Sequence, residues 1–101
     1  MAFTNQDVQI IEMDDEASPF EVSASLQRAI NDGLWSLQGS YGRSMMQAIE
    51  DGRCLLGRND FRDYYGNHIP SRDQVQAGTK GSLDFVTEHM GKDWADKIAQ
   101  I

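Results

Sequence analysis

The tetrapeptide Ser18-Pro19-Phe20-Glu21 constrains the fold of this chain more than any other stretch, because it fixes where a helix begins. A serine hydroxyl at the cap accepts from a free amide of the first turn, and a glutamate three residues later reaches back to the cap amide. Proline suits the first helical position, where its missing N–H would have had no partner. Leu26, Ile30, Leu34 and Leu37 follow at spacings of four, four and three, one apolar stripe on a helix over 19–37. Asn31-Asp32-Gly33 is its weak point.

The same grammar continues along the chain. Gly39 and Gly42 bracket a turn into a second helix that turns Met45, Met46, Ala48 and Ile49 inward, and Gly52 supplies a left-handed stop. Cys54, Leu55 and Leu56 form a short apolar anchor. Ser71 with Gln74 predicts a short helix over 72–77 ended by Gly78. Ser82 starts another helix, with Leu83, Val86 and Met90 as its stripe and Gly91 as its stop, and Trp94, Ile98 and Ile101 define a last one. A chain of 101 residues, 40% of them apolar, supports one small core. The expected class is mainly α: a helical domain of three to five helices over 18–101, with one long ordered loop and an extended acidic arm over 1–17.

That arm carries the charge. Residues 1–27 hold six acids and no Lys or Arg, whereas the remainder holds ten acids and nine bases, so most of the formal −7 is N-terminal. Val8, Ile10 and Glu12 alternate with Gln9, Ile11 and Met13, a short period of two that suggests an extended arm with at most one edge strand. A nearly neutral body offers no basic face for duplex nucleic acid. The acidic run Asp14-Asp15-Glu16 is suited to a basic surface on a partner, or serves only to keep the chain soluble. No apolar run approaches the ~20 residues needed to span a bilayer, and the N-terminus lacks the pattern of a secretory signal. A single cysteine excludes an internal disulfide, which makes a reducing cytoplasm the expected compartment.

Catalytic chemistry finds no footing. His68 and His89 stand at no metal-ligand spacing, so no metal and no cofactor are expected, and Cys54 beside two leucines reads as a packing thiol. The loop from Arg58 to Gly81 is the candidate binding element, because Phe61, Tyr64, Tyr65, Ile69 and Val75 supply enough apolar surface to order it, with Arg58, Tyr64, Arg72 and Lys80 at its rim. Tyr64-Tyr65-Gly66-Asn67 reads as an aromatic anchor followed by a turn. Gly78-Thr79-Lys80-Gly81-Ser82 departs from a phosphate loop, since the lysine precedes the second glycine. Arg72, Lys80, Gly81 and Ser82 are nevertheless its candidate anion-binding set, set against the reading of a plain glycine turn with a helix cap. Trp35 lies about 100° off the leucine stripe, which puts it at a helix or subunit contact. The partner-binding set is thus Asp14, Asp15, Glu16, Trp35, Arg58, Tyr64 and Arg72.

The run LWSLQGSYGRSMMQAIEDGRCLLG, followed by DYYGNHIPSRDQVQAGTKGS, resembles small proteins encoded by tailed bacteriophages. The resemblance covers roughly residues 34–86 and implies a context rather than an activity: a non-enzymatic protein of the host cytoplasm that binds and inhibits a host protein with a basic surface, such as a bacterial immune complex in the manner of an anti-CRISPR protein. A nucleotide- or anion-binding module built on the 58–82 loop, a minor virion component and a homo-oligomer are the alternatives.

Overall fold

A computed structural model describes residues 3–12, 16–36 and 40–101. Asp14 and Asp15 of the acidic run, and Leu37 of the first stripe, lie outside the described residues. The capping box at Ser18 forms as expected: Glu21 N donates to Ser18 Oγ at 3.1 Å and Ser18 N to Glu21 Oε1 at 3.1 Å. It starts a helix over Pro19–Asn31, which ends earlier than the expected 37. Gly33 is the cause, with φ of 75° in the left-handed region that glycine tolerates best. A short 3-10 turn over Leu34–Ser36 follows.

Residues expected as an extended arm form a helix, α1 over Asn5–Glu12, and this corrects the period-two reading. Thr4 caps it: its backbone N donates to Asp7 Oδ2 at 2.9 Å, while Asp7 N reaches Thr4 Oγ1 at 3.4 Å. Thr4-Asn5-Gln6-Asp7 is therefore a start signal of the same kind as the one at Ser18. With α1 placed, the Pro19–Asn31 helix is α2, and Ser40–Glu50 is α3, ended by Gly52 at φ 77°. Two-residue strands β1, Phe61–Arg62, and β2, His68–Ile69, make an antiparallel hairpin, with Phe61 opposite Ile69 and Arg62 opposite His68. Helices α4, Leu83–Met90, and α5, Lys92–Ala99, close the chain around Gly91. The expected helix over 72–77 does not form. Ser71 N donates instead to Gln74 Oε1 at 2.9 Å, and the segment is a series of turns.

Two apolar clusters meet across residues 54–56. Cys54 and Leu56 join Leu26, Ile30, Trp35, Met45, Ile49 and Ile69 in one, while Leu55 faces Val86, Ala95 and Ile98 in the other. Alternate side chains of an irregular segment thus serve opposite faces. A polar device holds it in place. Leu55 N donates to Gln27 Oε1 at 2.7 Å and Gln27 Nε2 donates to Leu55 O at 3.0 Å, so one buried amide satisfies both backbone groups as a neighbouring strand would.

Candidate partner-binding hairpin

The β1–β2 hairpin is rooted in the first core. Ile69 is buried, and Phe61 packs on the same cluster so closely to Gly33 that a Cβ there would lie 2.4 Å from the ring. Gly33 therefore stops α2 and leaves room for the root of the hairpin.

At the tip, Asp63 organises the turn. Its Oδ1 accepts from Tyr65 N at 2.9 Å and Asn67 N at 2.8 Å, and its Oδ2 accepts from Asn67 Nδ2 at 3.3 Å. Gly66 N donates to Asp63 O, Asp63 N to Asn67 O, and Arg62 Nη1 to Gly66 O at 2.9 Å. A carboxylate that accepts from nearby backbone amides rigidifies a turn at little cost. The two tyrosines point away from this scaffold. Tyr64 is 51% and Tyr65 80% exposed, with their rings edge to face and centroids 5.1 Å apart. Beside them, His68 Nε2 lies 3.0 Å from Asp60 Oδ2, and this contact holds the Asp60 carboxyl below the usual carboxylate range.

The other candidates fall into different places. Trp35, expected at a surface contact, is only 3% exposed and sits in the first core, because the early end of α2 changes its direction. Arg58 remains on the surface but caps the C-terminus of α5, donating through Nη2 to Ala99 O at 3.0 Å. Arg72 turns inward rather than standing at the rim. Its Nε donates to Leu56 O at 2.8 Å and its Nη2 to Asn31 Oδ1 at 3.3 Å, and burial, with Arg58 nearby, lowers its pKa. Glu16 is exposed, beyond the end of α1.

The glycine-rich turn has a structural occupation. Ser82 Oγ donates to Thr79 O at 2.7 Å and accepts from Gly78 N at 3.0 Å and Phe85 N at 3.3 Å, so its hydroxyl is spent within the turn. Gly81 is buried with φ of 89°, and a Cβ would meet Leu56 Cγ at 2.5 Å. Lys80 reaches toward Glu50 at 3.8 Å. Arg72 and Ser82 do line a common cleft of about 440 Å³, but Asp73 and Asp84 line it as well, and Lys80 does not.

Cys54 is fully buried, its Sγ donating to Ser23 O at 3.2 Å, and burial pushes the thiol up to about 12. Among the described residues no group of three or more His, Cys, Asp or Glu side chains is placed to hold a metal ion, and no helix is long and apolar enough to cross a membrane. No protein-family model, curated protein or solved structure matches this chain.

Proposed function

We propose that the chain is a non-enzymatic interaction protein of the phage type that binds and inhibits a host protein, a bacterial immune complex being the kind of target it suits, and that the Tyr64–Tyr65 tip is its principal anchor. The single observation that supports this reading is the pair of exposed tyrosines on a turn whose backbone is already tied by Asp63 and Gly66. Tyrosine gives a large amphipathic contact for two side-chain torsions, and a preorganised turn removes much of the ordering cost of association. Such residues are enriched among those that dominate binding energy. A net charge of −7 favours a basic partner surface and accelerates encounter with it at low salt.

The test is site-specific. A photo-crosslinking phenylalanine analogue replaces Tyr65, or Glu88 on α4 as a control, in the chain expressed in bacteria. One discrete adduct from position 65, absent from position 88 and lost when Tyr64 is also changed to Ser, is the expected result. Equal, diffuse labelling from both positions refutes the anchor.

A further inference from the structure

A second surface brings two arginines together over an apolar floor, and it does not depend on the hairpin. Ile11 of α1 with Val22 and Leu26 of α2 form the floor of a pocket of about 390 Å³, walled by Arg43, Ser44 and Gln47 of α3 and by Arg53. Among the described residues no carboxylate lines it, although acids outnumber bases sixteen to nine in the whole chain.

Three described acids nearby already have partners. Asp7 accepts from Arg28 and Ser25. Glu12, next to Ile11, is hydrogen-bonded by Tyr41, whose own pKa is raised by burial and by that contact. Asp51 accepts from Gln47 Nε2 at 2.8 Å and from Arg53 Nη2 at 3.4 Å, which orients both groups and neutralises Arg53 only in part. Arg53 also donates from Nη1 to Ser23 Oγ at 3.3 Å. The side chain of Arg43, exposed on α3, has no hydrogen-bond or ion-pair partner among the described residues.

From this convergence we infer that the α1–α2–α3 pocket binds a small amphiphilic carboxylate, its anionic head between Arg43 and Arg53 and its short apolar body on Ile11, Val22 and Leu26. The guanidinium fork matches a carboxylate in two directions. Gln47 and Ser44 add uncharged polar groups, which fix a head group without repelling it. At the ~30 Å³ that a water occupies in the liquid, the volume corresponds to about a dozen heavy atoms, the size of a medium-chain fatty acid. A cation is excluded by the two arginines, and a bare inorganic anion leaves the apolar floor unused.

Decanoate below its micelle concentration is the probe, with decanol and inorganic phosphate as comparisons, titrated into the full chain and followed by amide and methyl chemical shifts. The expected result is saturable binding of decanoate with shifts centred on Ile11, Val22, Leu26 and Ser44, and much weaker response to decanol and phosphate. Arg43→Gln, at an exposed position, should weaken decanoate about tenfold, the loss of one charge-assisted contact. Ser44→Trp, which fills the pocket from its wall, should abolish the shifts while the far-ultraviolet dichroism is retained. Equal binding of decanol and decanoate, an affinity unmoved by Arg43→Gln, or no saturable response at millimolar decanoate overturns the inference.

Discussion

Asp7 is the residue on which the placement of the N-terminus turns. It is 2% exposed, yet charged, because Arg28 Nη2 at 2.7 Å, Arg28 Nε at 2.9 Å and Ser25 Oγ at 2.8 Å all donate to it. Burial alone raises its pKa, but the hydrogen bonds from Arg28, Ser25 and Thr4, with the Arg28 charge, outweigh burial and hold it below the ordinary value. A carboxyl that is more acidic folded than unfolded stabilises the fold above its unfolded pKa, near 4, and loses that contribution as pH falls through its folded value. Asp7→Asn should therefore cost about 2–4 kcal/mol at neutral pH, since it leaves Arg28 without its carboxylate. Urea midpoints measured from pH 7 to pH 2 should show the gap between wild type and variant closing below pH 4; a gap independent of pH would remove the ion pair from the account. Glycine gives a second comparison at this scale. Gly78 and Gly81 share a φ of 89°, but a Cβ at Gly78 meets nothing within 4 Å whereas one at Gly81 strikes Leu56. Gly78→Ala should cost about 1 kcal/mol from backbone strain alone, and Gly81→Ala at least twice that. Equal losses in thermal unfolding would show that Leu56 moves aside freely.

Among the elements, the helix starts at Ser18 and Ser82 and the stops at Gly52 and Gly91 are legible, whereas the early stop at Gly33, the false start at Ser71 and the irregular tertiary pairings are not. Ser18, Ser82, Gly52 and Gly91 act locally, through groups within four residues, so their patterns announce themselves. The start of α1 was equally local, in Thr4 and Asp7, but apolar alternation at Val8 and Ile10 masked it; the capping signal outranked a period of two over so few residues. Tyr64 to Asn67 read correctly as a turn, while the strands beside it did not, because two-residue strands have no period to detect. Arg72 departs from its expected rim position for a different reason: its partners, Leu56 and Asn31, are 16 and 41 residues away, and no local pattern encodes them. The same holds for Arg43 and Arg53, which line one pocket from different elements. The hairpin tip itself makes a sharp prediction. Asp63→Ala removes the acceptor for Tyr65 N and Asn67 N, so amide exchange at those two positions should accelerate about tenfold or more while α2 amides keep their protection. Unchanged exchange at Tyr65 would mean that the backbone turn holds without the carboxylate.

For the molecule as a whole, Leu55 makes the two clusters interdependent, since its neighbours Cys54 and Leu56 belong to one and its own side chain to the other. Opening either cluster exposes the segment that completes its companion, so one cooperative transition is expected. Cys54 reports on it. Fully buried and held as a thiol by its raised pKa, it should be inert to Ellman's reagent at pH 8 in the native protein and react only at the rate set by unfolding in rising urea. Rapid native labelling would indicate that the segment opens by itself. The amide of Gln27 sets a further restriction, on the alphabet available to descendants of this sequence. Glutamate at that position offers no donor to Leu55 O, asparagine is one methylene short of reaching, and methionine fills the space but strands a buried N–H and a buried C=O. A library of all twenty residues at position 27, sorted for resistance to proteolysis, should return glutamine far above every alternative; broad recovery of apolar residues would mean the backbone of Leu55 finds other partners. Position 27 is spelled by geometry rather than by hydrophobicity.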